Sequence, residues 1–321
     1  MEEALRGLAG QFAWEPEIEG DIPAATRFIV CGMGGSHLGA SLLLAHDPSL
    51  PIRIHSDYGL PAIPASERAE TLVILSSYSG NTEEELDAAQ AAVDAGFASV
   101  AITTGGKLAE FAREHSLPLI LLPETGIEPR MAIGYQLLAL ASVIGGSPLV
   151  NAVRAAGSMV APEAQQEIGT EVGSALEGRI PLVYASNQNE IVARIWKIFF
   201  NETAKIPAFF YPLPEFCHNE LSGFDTAPAT EELSQRFLAI FLTDETDHPR
   251  TVKRMEIARD LLNERGIDTI AVPLEGTSPL HTALGGIATG VWAALALAAT
   301  YGVPDAETPL IAEFKERMSD V

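Results

Sequence analysis

Basic residues are scarce in this chain. Its 20 lysines and arginines stand against 43 aspartates and glutamates, a formal net charge of −23 at pH 7. So acidic a chain repels nucleic acid and anionic membrane surfaces, and neither is expected as a partner. Any anion it does hold must be gripped locally, by amides, hydroxyls and a few arginines. Cysteine is scarcer still. Cys31 lies in an apolar run and Cys217 beside a histidine, and there are no others. Without a spaced pattern they suggest neither a disulfide framework nor a zinc site, and they fit a reducing compartment. The acidic start Met1-Glu2-Glu3-Ala4 lacks the apolar core of a signal peptide, so a cytoplasmic protein is expected. Long apolar runs are nearly missing too. One uncharged stretch, 284–304, is alanine-rich, carries Gly285, Gly286 and Gly290, and has no basic flank. It reads as a helix buried inside the protein and not as a membrane span.

What is present is a chain of 321 residues, 47% apolar, enough for two domains with substantial cores. In the first half, apolar strand candidates at 27–31, 52–56, 71–76, 99–103 and 118–122 alternate with helical periods at 37–45, 82–95, 105–114 and 131–144. Short apolar strands separated by helices imply an α/β fold with a parallel sheet covered on both faces. Gly145-Gly146-Ser147-Pro148 breaks the pattern, and 149–178 reads as connecting helices. The alternation then restarts, with strands at 180–185, 206–210, 236–243 and 268–273 and helices near 188–203, 249–265 and 281–301. The turn Ala185-Ser186-Asn187-Gln188-Asn189 follows its strand as Gly32–Ser36 follows the first one. That pattern suggests two copies of one α/β unit, the second having exchanged phosphate binding for another task. The expected division is 1–148, a connection over 149–178, and 179–321.

Two hydroxyl-rich turns carry the functional signal. Gly32-Met33-Gly34-Gly35-Ser36-His37 follows Phe28-Ile29-Val30-Cys31, and Ser76-Ser77-Tyr78-Ser79-Gly80-Asn81-Thr82 follows Leu72-Val73-Ile74-Leu75. A strand that ends in small residues and opens a helix offers free N–H groups at a positive helix end, which holds an anion. Ser77, Ser79 and Thr82 add hydroxyl donors. The Thr82–Glu85 spacing is also that of a capping box, and the two readings are compatible. A dinucleotide fingerprint is the nearest competitor, with Asp57 as the ribose ligand. Its third glycine would fall at His37, and it gives the serine-rich turn no role.

Three polar residues stand among apolar neighbours. Glu202 ends Ile198-Phe199-Phe200-Asn201, where a desolvated carboxylate could abstract a proton or merely pair with Lys205. His218 lies in Glu215-Phe216-Cys217-His218-Asn219-Glu220, behind a proline-rich loop. Arg130, in Gly126-Ile127-Glu128-Pro129-Arg130, either pairs with Glu128 or Glu124, or places a fixed positive charge for an anionic intermediate.

These motifs, together with Asn201-Glu202, Leu213-Pro214-Glu215 and Asp247-His248-Pro249-Arg250, occur in an order that resembles one family. It is the bifunctional phosphoglucose/phosphomannose isomerases, built from two SIS (sugar isomerase) domains of flavodoxin-like type. The resemblance runs from about residue 25 to the C-terminus. It implies aldose–ketose isomerisation of glucose 6-phosphate, and of mannose 6-phosphate, to fructose 6-phosphate through a cis-enediol, with no metal or organic cofactor. By the same resemblance Ser36, Ser77, Ser79 and Thr82 contact the phosphate, beside Gly34 and Gly35. Glu202 shuttles the proton between C1 and C2, and Arg130 stabilises the enediolate. His218 assists ring opening from the neighbouring subunit of a homodimer, and Thr289 makes room for the mannose epimer. One departure stands out. Aligned on Gly302-Val303, a family lysine that joins the histidine is replaced by Ala296. Either His218 works with another donor, or the alignment slips, or this is a sugar-phosphate-binding protein with weak or no isomerase activity.

Overall fold

A computed structural model describes residues 1–225 and 227–319. The chain divides into two compact units. An N-terminal unit comprises Arg6–Val160 with Thr277–His281, and a C-terminal unit comprises Met1–Leu5, Ala161–Gly276 and the chain from Thr282 onward.

Two short helices, α1 (Glu2–Arg6) and α2 (Leu8–Gln11), come first. The N-terminal unit is then built on β1 (Ile18–Glu19), β2 (Arg27–Cys31), β3 (Ile52–His55), β4 (Thr71–Ser76), β5 (Ala98–Thr103) and β6 (Leu119–Leu121). They form one sheet in the order β1-β6-β5-β4-β2-β3, parallel except for β1, which pairs antiparallel with β6. Without β1 this is the 2-1-3-4-5 order of a flavodoxin-like sheet. Every residue of β4, Thr-Leu-Val-Ile-Leu-Ser, is buried, as a central strand covered on both faces requires. The helices are α3 (Leu38–His46), α4 (Glu83–Asp94), α5 (Gly106–Glu114), α6 (Ile133–Ile144) and α7 (Gly146–Ser158). On one face, Ile29, Cys31, Val73, Leu75 and Ala101 meet Ala88, Ala89 and Ala92 of α4 and Leu108 of α5. Alternate strand residues share a face, and the alanine stripe lets α4 lie close. The glycine pair at 145–146 separates α6 from α7, with Gly146 in the left-handed region at φ +56°.

In the C-terminal unit come α8 (Gln166–Ala175), β7 (Ile180–Ser186), α9 (Glu190–Glu202), β8 (Phe209–Leu213), α10 (Glu231–Ser234), β9 (Phe237–Thr243), α11 (Pro249–Glu264), β10 (Thr269–Pro273), α12 (Pro279–Tyr301) and α13 (Pro309–Ser319). Its sheet runs β10-β9-β7-β8, all parallel. That repeats the first four strands of the other sheet, so the internal repeat read from pattern is present in the topology. β8 starts three residues later than the apolar run at 206 predicts. Ile206 is used to close α9: its N–H donates to Phe200 O at 3.2 Å, and its carbonyl accepts from Asn201 Nδ2 at 2.8 Å. The uncharged segment forms α12, a helix long and apolar enough to cross a membrane, yet 78% of its most apolar stretch is buried inside the protein. Its glycines serve packing. A Cβ on Gly290 would lie 2.4 Å from the Trp196 ring, and Trp196 Nε1 donates to Gly286 O at 2.7 Å.

Candidate active-site residues

In a sheet of this order, the crevice opens where successive connections leave to opposite sides, between the first and third strands. In the N-terminal unit these are β2 and β4, paired from Arg27–Thr71 to Cys31–Leu75. Both hydroxyl-rich turns therefore leave adjacent strand ends. The first runs through extended Met33 into a 3-10 turn, Gly34–His37, and then α3. The second needs Gly80, at φ +68°, because a Cβ there would lie 1.9 Å from Gly105 O.

The turns brace each other. Ser76 Oγ donates to Ser36 O at 2.9 Å, and Tyr78 N donates to Ser36 Oγ at 3.0 Å. Ser77 Oγ lies 2.9 Å from Thr82 Oγ1 and accepts from Gly80 N at 3.1 Å. Ser36 and Ser77 are buried, Thr82 and Gly35 half-buried, and Ser79 and Gly34 exposed. Ser36 and Ser77 thus hold the loops in shape, while Ser79, Thr82 and the first N–H groups of the helices stand nearer solvent. Thr82 is the N-cap of α4, but its hydroxyl makes no bond to a helix N–H. The capping-box expectation fails there because that hydroxyl is turned to Ser77 Oγ, 2.9 Å away, instead.

Arg130 is held beside the first turn. A Cβ on Gly35 would lie 3.2 Å from Pro129 O and Arg130 N, so glycine permits this close approach. The arginine is 3% exposed, and its Nη1 lies 3.5 Å from Glu128 Oε2, one of the two pairings open from sequence. A buried guanidinium with a half-exposed carboxylate partner thus belongs to the residue packed against the first hydroxyl-rich turn.

Sequence reasoning gave Glu85 no role beyond the capping box. Among three consecutive glutamates opening α4, it alone is buried, at 2% exposure. A signal was available: 85, 88, 89 and 92 follow the i, i+3, i+4, i+7 rule, which puts Glu85 on the alanine stripe that faces the sheet. Burial pushes its carboxyl up to about 7, opposed by its own N–H, the Thr82 hydroxyl and the Met33 N–H. Its Oε2 has no hydrogen-bond partner. The same environment pushes the Cys31 thiol up to about 12, mainly by burial and then by the Glu85 charge.

The other predicted residues lie in the C-terminal unit. Glu202 is the last residue of α9, whose inner face is Ile195, Trp196, Phe199 and Phe200. It is half-buried, and the Lys205 ammonium donates to its backbone carbonyl. His218 ends a 3-10 turn after β8 and is exposed, while its neighbours are tied down. Asn219 Nδ2 donates to Glu215 Oε1 at 2.7 Å, and Tyr184 OH donates to Glu220 Oε1 at 2.7 Å. Thr289 is 2% exposed, with Gln165 Oε1 at 3.0 Å and Gly285 O at 3.2 Å as acceptors for its hydroxyl. It and Ala296 lie on the side of α12 that packs on α8. A Cβ on Gly169 would lie 2.7 Å from Thr289 O, and one on Gly173 would lie 2.9 Å from the Ala296 methyl.

Two flavodoxin-like sheets with a serine-rich turn at the first switch point define a SIS-type phosphosugar protein, and comparison with known proteins agrees. Residues 165–318 match the family model of the bacterial phospho-glucose isomerase C-terminal SIS domain. A bifunctional phosphoglucose/phosphomannose isomerase from Aquifex aeolicus is 33% identical over 327 residues, 99% of this chain and 99% of its own. A D-glucosamine-6-phosphate 4-epimerase from Sulfolobus acidocaldarius is 31% identical over 225 residues, 66% of this chain and 70% of its own. Among solved structures, a hypothetical protein from Thermus thermophilus shares the fold with TM-score 0.70 at 18% identity, over 99% of this chain and 87% of its own. The chain belongs to the bifunctional phosphoglucose/phosphomannose isomerase family.

Proposed function

We propose that this protein is a cytoplasmic isomerase that interconverts glucose 6-phosphate, and mannose 6-phosphate, with fructose 6-phosphate. The observation that carries the reading is the pair of interlocked turns with Arg130 packed against the first of them. Ser79, Thr82 and the helix N-terminal amides hold the phosphate, with Gly34 and Gly35 leaving the backbone open to it and Ser36 and Ser77 fixing the loops. With the sugar open, Glu202 removes the proton from C2, the electron pair moves into a C1–C2 double bond, and negative charge grows on the C1 oxygen. Arg130 offsets that charge. The proton on the C2 oxygen passes to the C1 oxygen as C2=O forms, and the same carboxyl returns the carbon-bound proton to C1, so the step balances without a cofactor.

His218 is exposed at the end of a rigid turn, which suits a residue that completes the site of a second copy. The protein then acts as a homodimer. Mixing a Glu202→Gln subunit with a His218→Ala subunit should restore one intact site per heterodimer. A monomer by light scattering, or no recovery on mixing, would remove the shared-site reading.

Purified protein with fructose 6-phosphate, coupled to consumption of glucose 6-phosphate, tests the activity itself. A second reading, a sugar-phosphate-binding protein without efficient turnover, is favoured by Ala296 alone. Saturable binding without product formation would select it over the isomerase.

A further inference from the structure

We propose that Glu85 belongs to the phosphate site and that the anion binds there together with a proton carried by this side chain. The inference rests on the phosphate site proposed above. Its geometric basis is a chain of groups behind the turns. Ser77 Oγ and Thr82 Oγ1 are 2.9 Å apart, and the Thr82 hydroxyl and the Met33 N–H of the first turn both act to lower the proton affinity of the buried Glu85 carboxyl. One buried carboxyl thus lies behind the turns, its Oε2 without a hydrogen-bond partner.

Hydroxyl groups have one hydrogen each, so the protonation state of Glu85 sets which way the chain points. A carboxylate only accepts. It draws the Thr82 hydrogen inward, away from an incoming anion, and sets a buried negative charge behind that anion. A carboxylic acid donates to Thr82 instead and releases the Thr82 hydrogen outward. Burial holds the carboxyl near neutrality, so both states are within reach.

Other titratable groups surround it. Glu83, Glu84 and Asp87 lie on its own helix, and Tyr58 from the loop after β3 interacts with all three. From β2 comes the Cys31 thiol, which stays neutral. His37 and Arg130 belong to the first turn and its neighbour, and exposed Lys107 and Glu110 stand on α5, which packs on α4. Of these, His37 is the only histidine, the side-chain type whose charge can change between pH 5 and 8.

The test uses inorganic sulfate, which does not titrate in this range, measured by calorimetry on the full-length protein from pH 5.5 to 8.5. Parent protein should lose affinity by about tenfold per pH unit once Glu85 ionises, and should take up close to one proton per sulfate at pH 8. Glu85→Gln, a neutral donor of similar shape, should bind with little pH dependence. A parent with flat affinity and no proton uptake would overturn the proposal. So would an unchanged slope in Glu85→Gln, which would assign the proton to His37. Ser79→Ala separates the two levels: if sulfate affinity ignores that change, the phosphate site itself is misplaced. If Glu85→Gln does not fold, His37→Gln decides instead: proton uptake that persists in it supports Glu85, and uptake lost with that change assigns the proton to His37 and overturns the proposal.

Discussion

The turns after β4 and β9 occupy the same place in two sheets of the same strand order, and they have opposite chemistry. After β4 come Ser77, Tyr78, Ser79, Gly80, Asn81 and Thr82; after β9 come Asp244, Glu245, Thr246 and Asp247. Each turn is tied to its neighbour. In the first unit Tyr78 N donates to Ser36 Oγ, whereas in the second Asn189 Nδ2 donates to Asp244 Oδ2 at 3.1 Å. Asp244 Oδ1 also accepts from Thr246 N at 2.8 Å and Thr246 Oγ1 at 2.7 Å. Asp247 is buried, and that burial, with Asp244 adding to it, raises its carboxyl above the ordinary range. The topology places two loops side by side in each unit, and side-chain identity then sets the charge of the brace between them. A hydroxyl brace adds no charge of its own to the first crevice. A carboxylate brace makes the second one negative.

On this account the first unit governs binding and the second supplies the proton-transfer group, a split that variants can break. The largest effect belongs to Glu202→Gln, which keeps shape and removes the base. Turnover should fall by roughly 10²–10⁴-fold with KM little changed, as steady-state kinetics will read. Next comes Ser79→Asp, which brings the chemistry of the second turn into the first. Like charges in close contact cost several kcal/mol, so affinity for sugar phosphate should drop by roughly 10³-fold. Ser79→Ala and Thr82→Ala lose only a hydrogen bond to a charged group, worth about 1.5–3 kcal/mol of binding, with kcat less affected.

The smallest effect is on stability. Glu85 holds its proton more tightly folded than unfolded, so its contribution is greatest below its ordinary value near 4.5. It is lost as pH rises toward about 7 and is constant above that. Glu85→Gln does not titrate, and its gain over the parent in thermal unfolding should therefore grow by roughly 2 kcal/mol between pH 5 and 8. An equal gain at both pH values would mean that burial does not hold the proton.

Much of this was legible in the sequence where the signal is local. Runs such as Leu72-Val73-Ile74-Leu75, short, partly β-branched and followed by a turn, read as strands buried on both faces, and the turns that follow carry their small residues in consecutive positions. Legibility ended where a residue's role depends on distant partners. Ile206 has the character of a strand residue, but Asn201 and Phe200 claim its backbone. Glu85 is hidden in a run of glutamates whose other members are solvated, and only the helical stripe sets it apart. Thr289 and Ala296 share a helix face by spacing alone. That α8 lies against this face follows from Gly169 and Gly173, well over a hundred residues earlier in the chain.

Proton exchange at carbon tests the central claim most directly. In D2O, the parent protein should introduce deuterium at C1 of fructose 6-phosphate and C2 of glucose 6-phosphate, detected by NMR, and Glu202→Gln should not over the same time. Deuterium entering at the parent rate in Glu202→Gln, or none entering with parent protein that binds the sugar, would contradict an enediol isomerase working through Glu202.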